Sequence, residues 1–531
     1  MIFEGDGEDH LIFSPLYSYR LIGLIGGKKM MIRADKSFLK QLEEQATRRK
    51  QEILHAPDCI NVKGRVYYVS NDGSDENDGK TPQSAWKSLN RVSKAILSVG
   101  DGVLFRRGDI FRGCLNTAPG VTYAAYGSGE KPKFYGWDHS LADPSLWELF
   151  DETNHIWKLK ERILDCGTLV FNDGEKHCRK LIPSYINGVF VCREDENRPF
   201  VVSEQMQKDL DLVCLYDDRL TTVPSKGQNF PIPQMDGESL GDLFLRCDAG
   251  NPAECFYSIE ALPRRSMISV RDNANVTIDN LCLKYIGCHA VAAGGHVVGL
   301  HVSNCEIGWI GGAIQHYLGT DPNYPEGGRG TVTRFGNGIE IYGGCEDYCV
   351  RDCYIYQVYD AGITHQITTN GNFVKMEGIR YLNNLVEYCV YSIEYFLEKK
   401  GNDTKSYIDD CLMCGNILRF SGYGWGQQRH NTHTPAHIKG WSYENTARNY
   451  SIVNNLFDRA AYRMLHLVAR EQSSCPTLAH NTYVQMDGMH LGQYGANAVE
   501  EPENMIFDEQ VEEKLHNVVN ETAPTVYLIV D

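Results

Sequence analysis

Along the second half of the chain, single apolar residues recur at coil-like spacing, nearly always preceded by a small residue and followed by another side-chain type. They are Val291 in HAVAA, Ile314 in GAIQH, Ile339 in NGIEIYGG, Ile363 in AGITHQ, Ile393 in YSIEYF, Trp425 in YGWGQ, Leu465 in RMLHL and Met489 in GMHLG. Upstream of these runs a polar register: Asn280, Asn304, Asp352, Asn384, Asn416, Asn455 and Asn481. The segment 290–305 also aligns without a gap on 338–353. Short β-rich units at periods of roughly 20 to 50 residues mark solenoids. The pattern therefore predicts an all-β, right-handed parallel β-helix, because each coil is too small to bury its apolar residues except by stacking on its neighbours. The asparagines read as a structural ladder at a recurring turn, each amide bonding the next along the axis.

The repeat divides the chain. Residues 1–63 read as an N-terminal appendage, with Ser37 placed to cap a charged helix. Residues 64–136 read as a cap and the first coils, including a helix from Ser84 to Leu97. From 137 to 265 the repeat disappears, and scattered Trp, Pro and Gly point to an inserted antiparallel β module. Regular coils are expected over 266–498, followed by an acidic C-terminal tail over 499–531.

Composition narrows the function. The net charge of -17 argues against a nucleic-acid groove and, less strongly, against a polyanionic polysaccharide, although local basic clusters override such an argument. Several of the 18 cysteines fall at coil positions where a small apolar side chain would serve, so they read as reduced core residues. Acidic residues near the start (Glu4, Asp6, Glu8, Asp9) do not suit an export signal, and LIGLIGG is too short to span a membrane. We therefore expect a cytoplasmic protein with no membrane partner and no nucleic-acid partner. No cofactor is expected. Cys411 and Cys414 lack a second pair, and Pro435 breaks any helix that would align His433 with His437, so no metal site is expected either.

Four stretches carry a family resemblance: YYVSNDGSDENDGKTPQSAWKSL, GDGVLFRRGDIFRG, NPAECFYSIE and IDNLCLKYIGCHAV. With them the chain resembles bacterial right-handed β-helix proteins of the pectate-lyase-like superfamily, from Tyr67 to about residue 495. The resemblance implies the β-helix and a carbohydrate-active setting. It does not choose a reaction, since that group mixes hydrolases, lyases and members of other kinds.

Side chains alternate along a parallel strand, so the residue after each interior hydrophobe should face outward and stack across coils. That column reads Ala292, Gln315, Glu340, Thr364, Glu394, Gly426, His466 and His490. Glu340 and Glu394 flank the Thr364 coil, and two coil steps are about 10 Å. An inverting glycosidase holds its two carboxyls roughly 6.5–9.5 Å apart to admit a water. Asp360, at the turn entering the intermediate coil, is the third candidate acid. The candidate catalytic residues are thus Glu394, Glu340 and Asp360, one as general acid and another as base or nucleophile. Candidate sugar-binding residues are Asn337, Thr364, His365, Gln366, Tyr395, Gln427, Arg429 and His466. Segment 317–335, with Asp321, Tyr324, Glu326 and Arg329, is expected to wall the groove.

These readings favour a glycoside hydrolase acting on an oligosaccharide or polysaccharide. A polysaccharide lyase is the alternative, disfavoured because the column as read contains no Lys. A non-catalytic glycan-binding β-helix is the third possibility. Oligomeric state is left open.

Overall fold

The computed structural model describes residues 32–58, 62–186, 189–216, 220–224, 231–235, 240–270, 273–316, 333–429, 434–495 and 504–530. The expected right-handed parallel β-helix is the architecture found. One sheet stacks Cys282–Ile286, Glu306–Ile310, Tyr354–Val358, Leu385–Glu387, Ile417–Ser421, Leu456–Ala460 and Thr482–Met486, each parallel to the next. A second sheet carries Val291–Ser303, Ile339–Arg351, Ala361–Thr368, Tyr391–Glu398, Ala436–Gly440 and Arg463–Val468, also in parallel register. Val291, Ile339, Ile363, Ile393, Ile438 and Leu465 stack in that register, and all are fully buried.

Three positions of this column differ from the sequence reading. Ile438 occupies the place assigned to Trp425, which sits instead in a short helical turn, Trp425–Gln428, packed against Trp309 and Tyr359. Gly492 pairs with Leu465 where Met489 was expected. Ile314 starts no coil, because Ala313–His316 and Thr333–Phe335 form an antiparallel hairpin. That removes Gln315 from the outward column.

The asparagine register is also split. Asn384, Asn416, Asn455 and Asn481 form a continuous ladder in which each side-chain amide bonds the next Oδ1 at 2.9–3.0 Å. Glu521 terminates it, accepting both the backbone N–H and the side chain of Asn481. Asn280, Asn304 and Asp352 lie one residue earlier, at turn positions with φ of 61°, 51° and 52°. The ladder position in those coils is taken by Leu281, Cys305 and Cys353, all buried. Asn is favoured at both places, since it tolerates the left-handed region and also bonds its own kind.

The described parts of the two terminal regions, from residue 32 and up to residue 530, pack on the solenoid. Thr525–Ile529 extends the first sheet beside Thr482–Met486, and Ile32–Arg33 pairs in parallel on its other edge. The helix Lys36–Leu54 starts at Asp35, whose carboxylate accepts the Phe38 N–H at 2.8 Å, so Ser37 is not its cap. Its Leu42, Ala46 and Ile53 cover Tyr354, Leu385, Ile417, Leu456 and Val484 on the outside of that sheet. In the N-terminal cap the expected long helix is only Leu89–Ser93. It begins at Ser88, which Asp75 holds through three hydrogen bonds to Lys87 and Ser88.

Within 137–265 the antiparallel strands Trp147–Asp151, Ile156–Leu159, Leu240–Arg246 and Asp211–Tyr216 make a separate sheet. It is pinned to the solenoid by buried charge. Asp165 pairs with Lys180 at 2.5 Å and accepts the Ile314 N–H, while Glu260 takes a two-pronged contact from Arg112. Every cysteine among the described residues is a free thiol. Among the described residues no helix is long and apolar enough to cross a membrane.

Candidate active site

The second sheet sets the site. With Ile339, Ile363, Ile393, Ile438 and Leu465 facing inward, pleating turns the following residues outward, and the register aligns them as Glu340, Thr364, Glu394, Lys439 and His466, with Gln493 next. Lys439 therefore holds the place assigned to Gly426, and Gln493 the place assigned to His490. Two residues further along the strands, Tyr342, Gln366 and Phe396 form a parallel column, and Trp441 packs on Phe396 with ring centroids 4.6 Å apart. An acidic column beside an aromatic one is a surface that can both react with a sugar and stack against it.

Three carboxylates converge here, Glu394 and Asp360 each against a cation and Glu340 against the His289 ring. Glu340 faces His289 and accepts from Asn337 Nδ2 at 3.0 Å. Asn337 is fixed in turn, since its Oδ1 accepts the Ala361 N–H at 2.9 Å. Burial pushes the Glu340 carboxyl up, but His289 and the hydrogen bonds of Asn337 and Gln366 outweigh it, so the group titrates below the usual carboxylate range. Glu394 is only 6% exposed and meets Lys439 at 2.9 Å. Burial raises its pKa, the Lys439 ammonium opposes, and the Asp360 charge adds to the rise, leaving it above the ordinary range. Lys439 is itself held protonated: burial works against its charge, but Glu394 and Tyr391 raise it, with its ammonium 3.9 Å from the Tyr391 ring centre. Asp360 is buried against the Arg429 guanidinium and caps no turn with its side chain. Between the two glutamates, Thr364 is fully buried and its hydroxyl has no hydrogen-bond partner.

Some candidates do not belong to this face. His365 and Tyr395 are inward by the same alternation that turns Thr364 and Glu394 out. The His365 ring is fully buried, bonded through Nδ1 to the Tyr381 hydroxyl at 2.8 Å and stacked on Tyr395 at 5.4 Å. Burial drives its pKa down to about 3, so it is neutral. Gln427 is exposed on the Trp425–Gln428 turn, away from the column, while the adjacent Gln428 bonds Cys178 O and Lys180 N of the inserted module. His437 lies inside the solenoid, bonded to Ser421 at 2.8 Å, and burial lowers its pKa to about 3. His430 and His433 fall outside the described residues, as do Asp321, Tyr324, Glu326 and Arg329. Among the described residues no cluster of His, Cys, Asp and Glu is arranged to hold a metal ion.

Sequence reasoning missed Lys439 and His289. The first follows Ile438 in AHIKGW and was hidden by taking Trp425 as the core residue. His289 was within reach, because the gapless alignment of 290–305 on 338–353, extended by one residue, sets it opposite Asn337.

No family model and no curated protein sequence matches the chain. Solved structures do share its winding. The complex of XylC with xylose matches at 12% identity over 87% of this chain and 83% of that one, with a TM-score of 0.36. A GH136 lacto-N-biosidase from Eubacterium ramulus matches at 13% identity over 93% and 71%, with a TM-score of 0.32. A structure described as a glycoside hydrolase matches at 10% identity over 88% and 96%, with a TM-score of 0.38. These likenesses are of architecture, and the chemistry is read from this chain's own residues.

Proposed function

We propose that the face built on Glu340, Thr364 and Glu394 is the active site of a glycoside hydrolase. The observation that carries this reading is a pair of carboxylates two rungs apart whose environments push their proton affinities in opposite directions, with an unpartnered hydroxyl between them. Pairs separated in this way divide into acid and base. Glu394 pairs with Lys439 in the resting protein, and its raised proton affinity suits it to take up a proton and, as general acid, give it to the glycosidic oxygen as the bond to the leaving sugar breaks. Glu340, kept ionised by His289, takes a proton from a water that attacks the anomeric carbon from the opposite side. Thr364 is placed to hold that water. Once Glu394 has given up its proton, the Lys439 ammonium stabilises the new carboxylate. The rung spacing of about 10 Å for two steps favours inversion over the closer approach that a covalent intermediate needs. Tyr342, Phe396 and Trp441 offer the stacking surface for sugar rings.

The presence of Lys439 in the column removes one ground for disfavouring a lyase. Its ammonium is engaged by Glu394 and protonated, however, so it is poorly suited to abstract a proton. The free buried thiols support work in a reducing compartment. The test is a glycan panel followed by two readouts, new reducing ends and the ultraviolet absorbance of an unsaturated uronate. Reducing ends alone are expected. Both signals together mean a lyase, and neither overturns the enzymatic reading.

A further inference from the structure

The outward column does not end at the acids. Beyond Lys439 it continues through His466 to Gln493, and beside it the register runs Tyr391, Ala436, Arg463, His490. Arg463 is 4% exposed, and its one side-chain hydrogen bond among the described residues runs from Nη1 to Gln493 Oε1 at 2.8 Å. Among the described residues its Nε has no partner and no carboxylate faces it. His466 and His490 on the same coils also present ring nitrogens, Nδ1 in each case, without a partner.

Among the described residues most other buried cations have a counter-ion, and the two that do not, Lys131 and Arg334, spend donors on the Asn280 side chain and on the Gly312 and Gly167 carbonyls. Arg429 has Asp360, Lys439 has Glu394, Lys180 has Asp165, and Arg419 has Glu387 and Asp458. A buried charge without a counter-ion is costly unless something supplies one. A guanidinium with a free donor edge is also the side chain best shaped to grip an oxyanion. The neighbouring imidazoles cannot be repelling cations themselves. Burial, with Arg463 and Lys439 nearby, drives His466 down to about 2, and burial with Arg463 lowers His490. They are neutral rings able to donate a hydrogen bond to an anion.

We infer that Arg463, with His466 and His490, forms a subsite for an oxyanion substituent of the glycan, the carboxylate of a uronic acid or a sulfate ester. The inference rests on the hydrolase reading for the presence of a glycan, and it adds the substrate's charge. His466 lies two rungs from Glu394, about 10 Å along the axis, so the charged sugar sits away from the bond that is cut. The overall charge of -17 does not oppose this, because the column at that end carries two cations and one carboxylate, Glu394.

The test uses the full chain and a matched set of oligosaccharides: a uronate, its methyl ester, a sulfated and a neutral counterpart. Binding is measured by calorimetry, and bond cleavage separately. The uronate or the sulfated glycan should bind tenfold to hundredfold more tightly than its uncharged counterpart, the range expected for charge-assisted hydrogen bonds. Which of the two does so identifies the group. Arg463→Met should bring the affinity for the charged glycan down to that of the uncharged one while leaving the latter unchanged. Should Arg463→Met fail to fold, the comparison of acid and ester on the native protein decides alone. Equal affinity for charged and neutral glycans, or a charged-glycan affinity indifferent to Arg463→Met, overturns the subsite. Charged glycans that bind through Arg463 without being cleaved uphold the subsite and instead sink the hydrolase reading.

Discussion

Two polar columns run along this solenoid. In the ladder from Asn384 to Asn481, the same residue type repeats and each amide satisfies the next, down to Glu521 as terminal acceptor. In the outward column the residue changes at each rung, from Glu340 through Thr364, Glu394 and Lys439 to His466. Hydrogen-bonding atoms on Thr364, His466 and the adjacent Arg463 are left open. The ladder is buried and the outward column largely so, with His466 half-buried, and both place polar groups in register. What separates them is satisfaction: a repeated, closed network holds a fold together, whereas a varied, open one is costly to maintain and is kept for what it does.

The largest stability effect should come from splitting the ion pair of the open column. Glu394→Gln leaves the Lys439 ammonium buried without a counter-charge, and removing one partner of such a pair costs about 3–5 kcal/mol. Adding Lys439→Met to it should recover most of the loss in denaturant unfolding. A single variant as stable as the native protein would show that water already reaches this pair. Next comes the ladder: Asn416→Ala removes the acceptor for the Asn384 N–H and amide and should cost about 1–3 kcal/mol. Turnover per folded molecule should be unchanged, and a turnover loss there would erase the distinction between the columns.

A smaller effect follows from Glu340. Its folded pKa lies below its unfolded value, so it contributes stability that is fully present above the ordinary carboxylate range. That contribution is lost as the pH falls through the lowered folded value. Melting temperature against pH should therefore drop less steeply on the acid side in Glu340→Gln than in the native chain. An identical acid limb in both contradicts the pairing with His289. Smallest in stability is Thr364→Val, which removes a hydroxyl that bonds nothing and should change unfolding by within about 0.5 kcal/mol. Its turnover should nonetheless fall about tenfold, the worth of one hydrogen bond to the attacking water.

The sequence shows the closed parts of this design better than the open ones. Val291, Ile339, Ile363, Ile393 and Leu465 were legible because an interior column tolerates only apolar side chains of similar size. Ile438 was missed because the stretch between Ile393 and Ile438 is longer than the coils around it. The register slip at Asn280, Asn304 and Asp352 arose because one residue type serves two neighbouring positions of the same turn. At the site, the acids were placed by alternation, and carrying that alternation one step further would have turned His365 and Tyr395 inward. Burial of Glu394, and with it the cost of altering it, depends on what packs over the face, and a strand's own sequence does not show that.

The most direct test compares turnover per folded molecule in Glu394→Gln, Glu340→Gln and Asn416→Ala on whichever glycan the native protein cleaves. Loss of general acid or base should lower the first two by at least about 100-fold, while Asn416→Ala keeps native turnover despite its lower stability. Native turnover in Glu394→Gln or Glu340→Gln would contradict the assignment of the paired carboxylates.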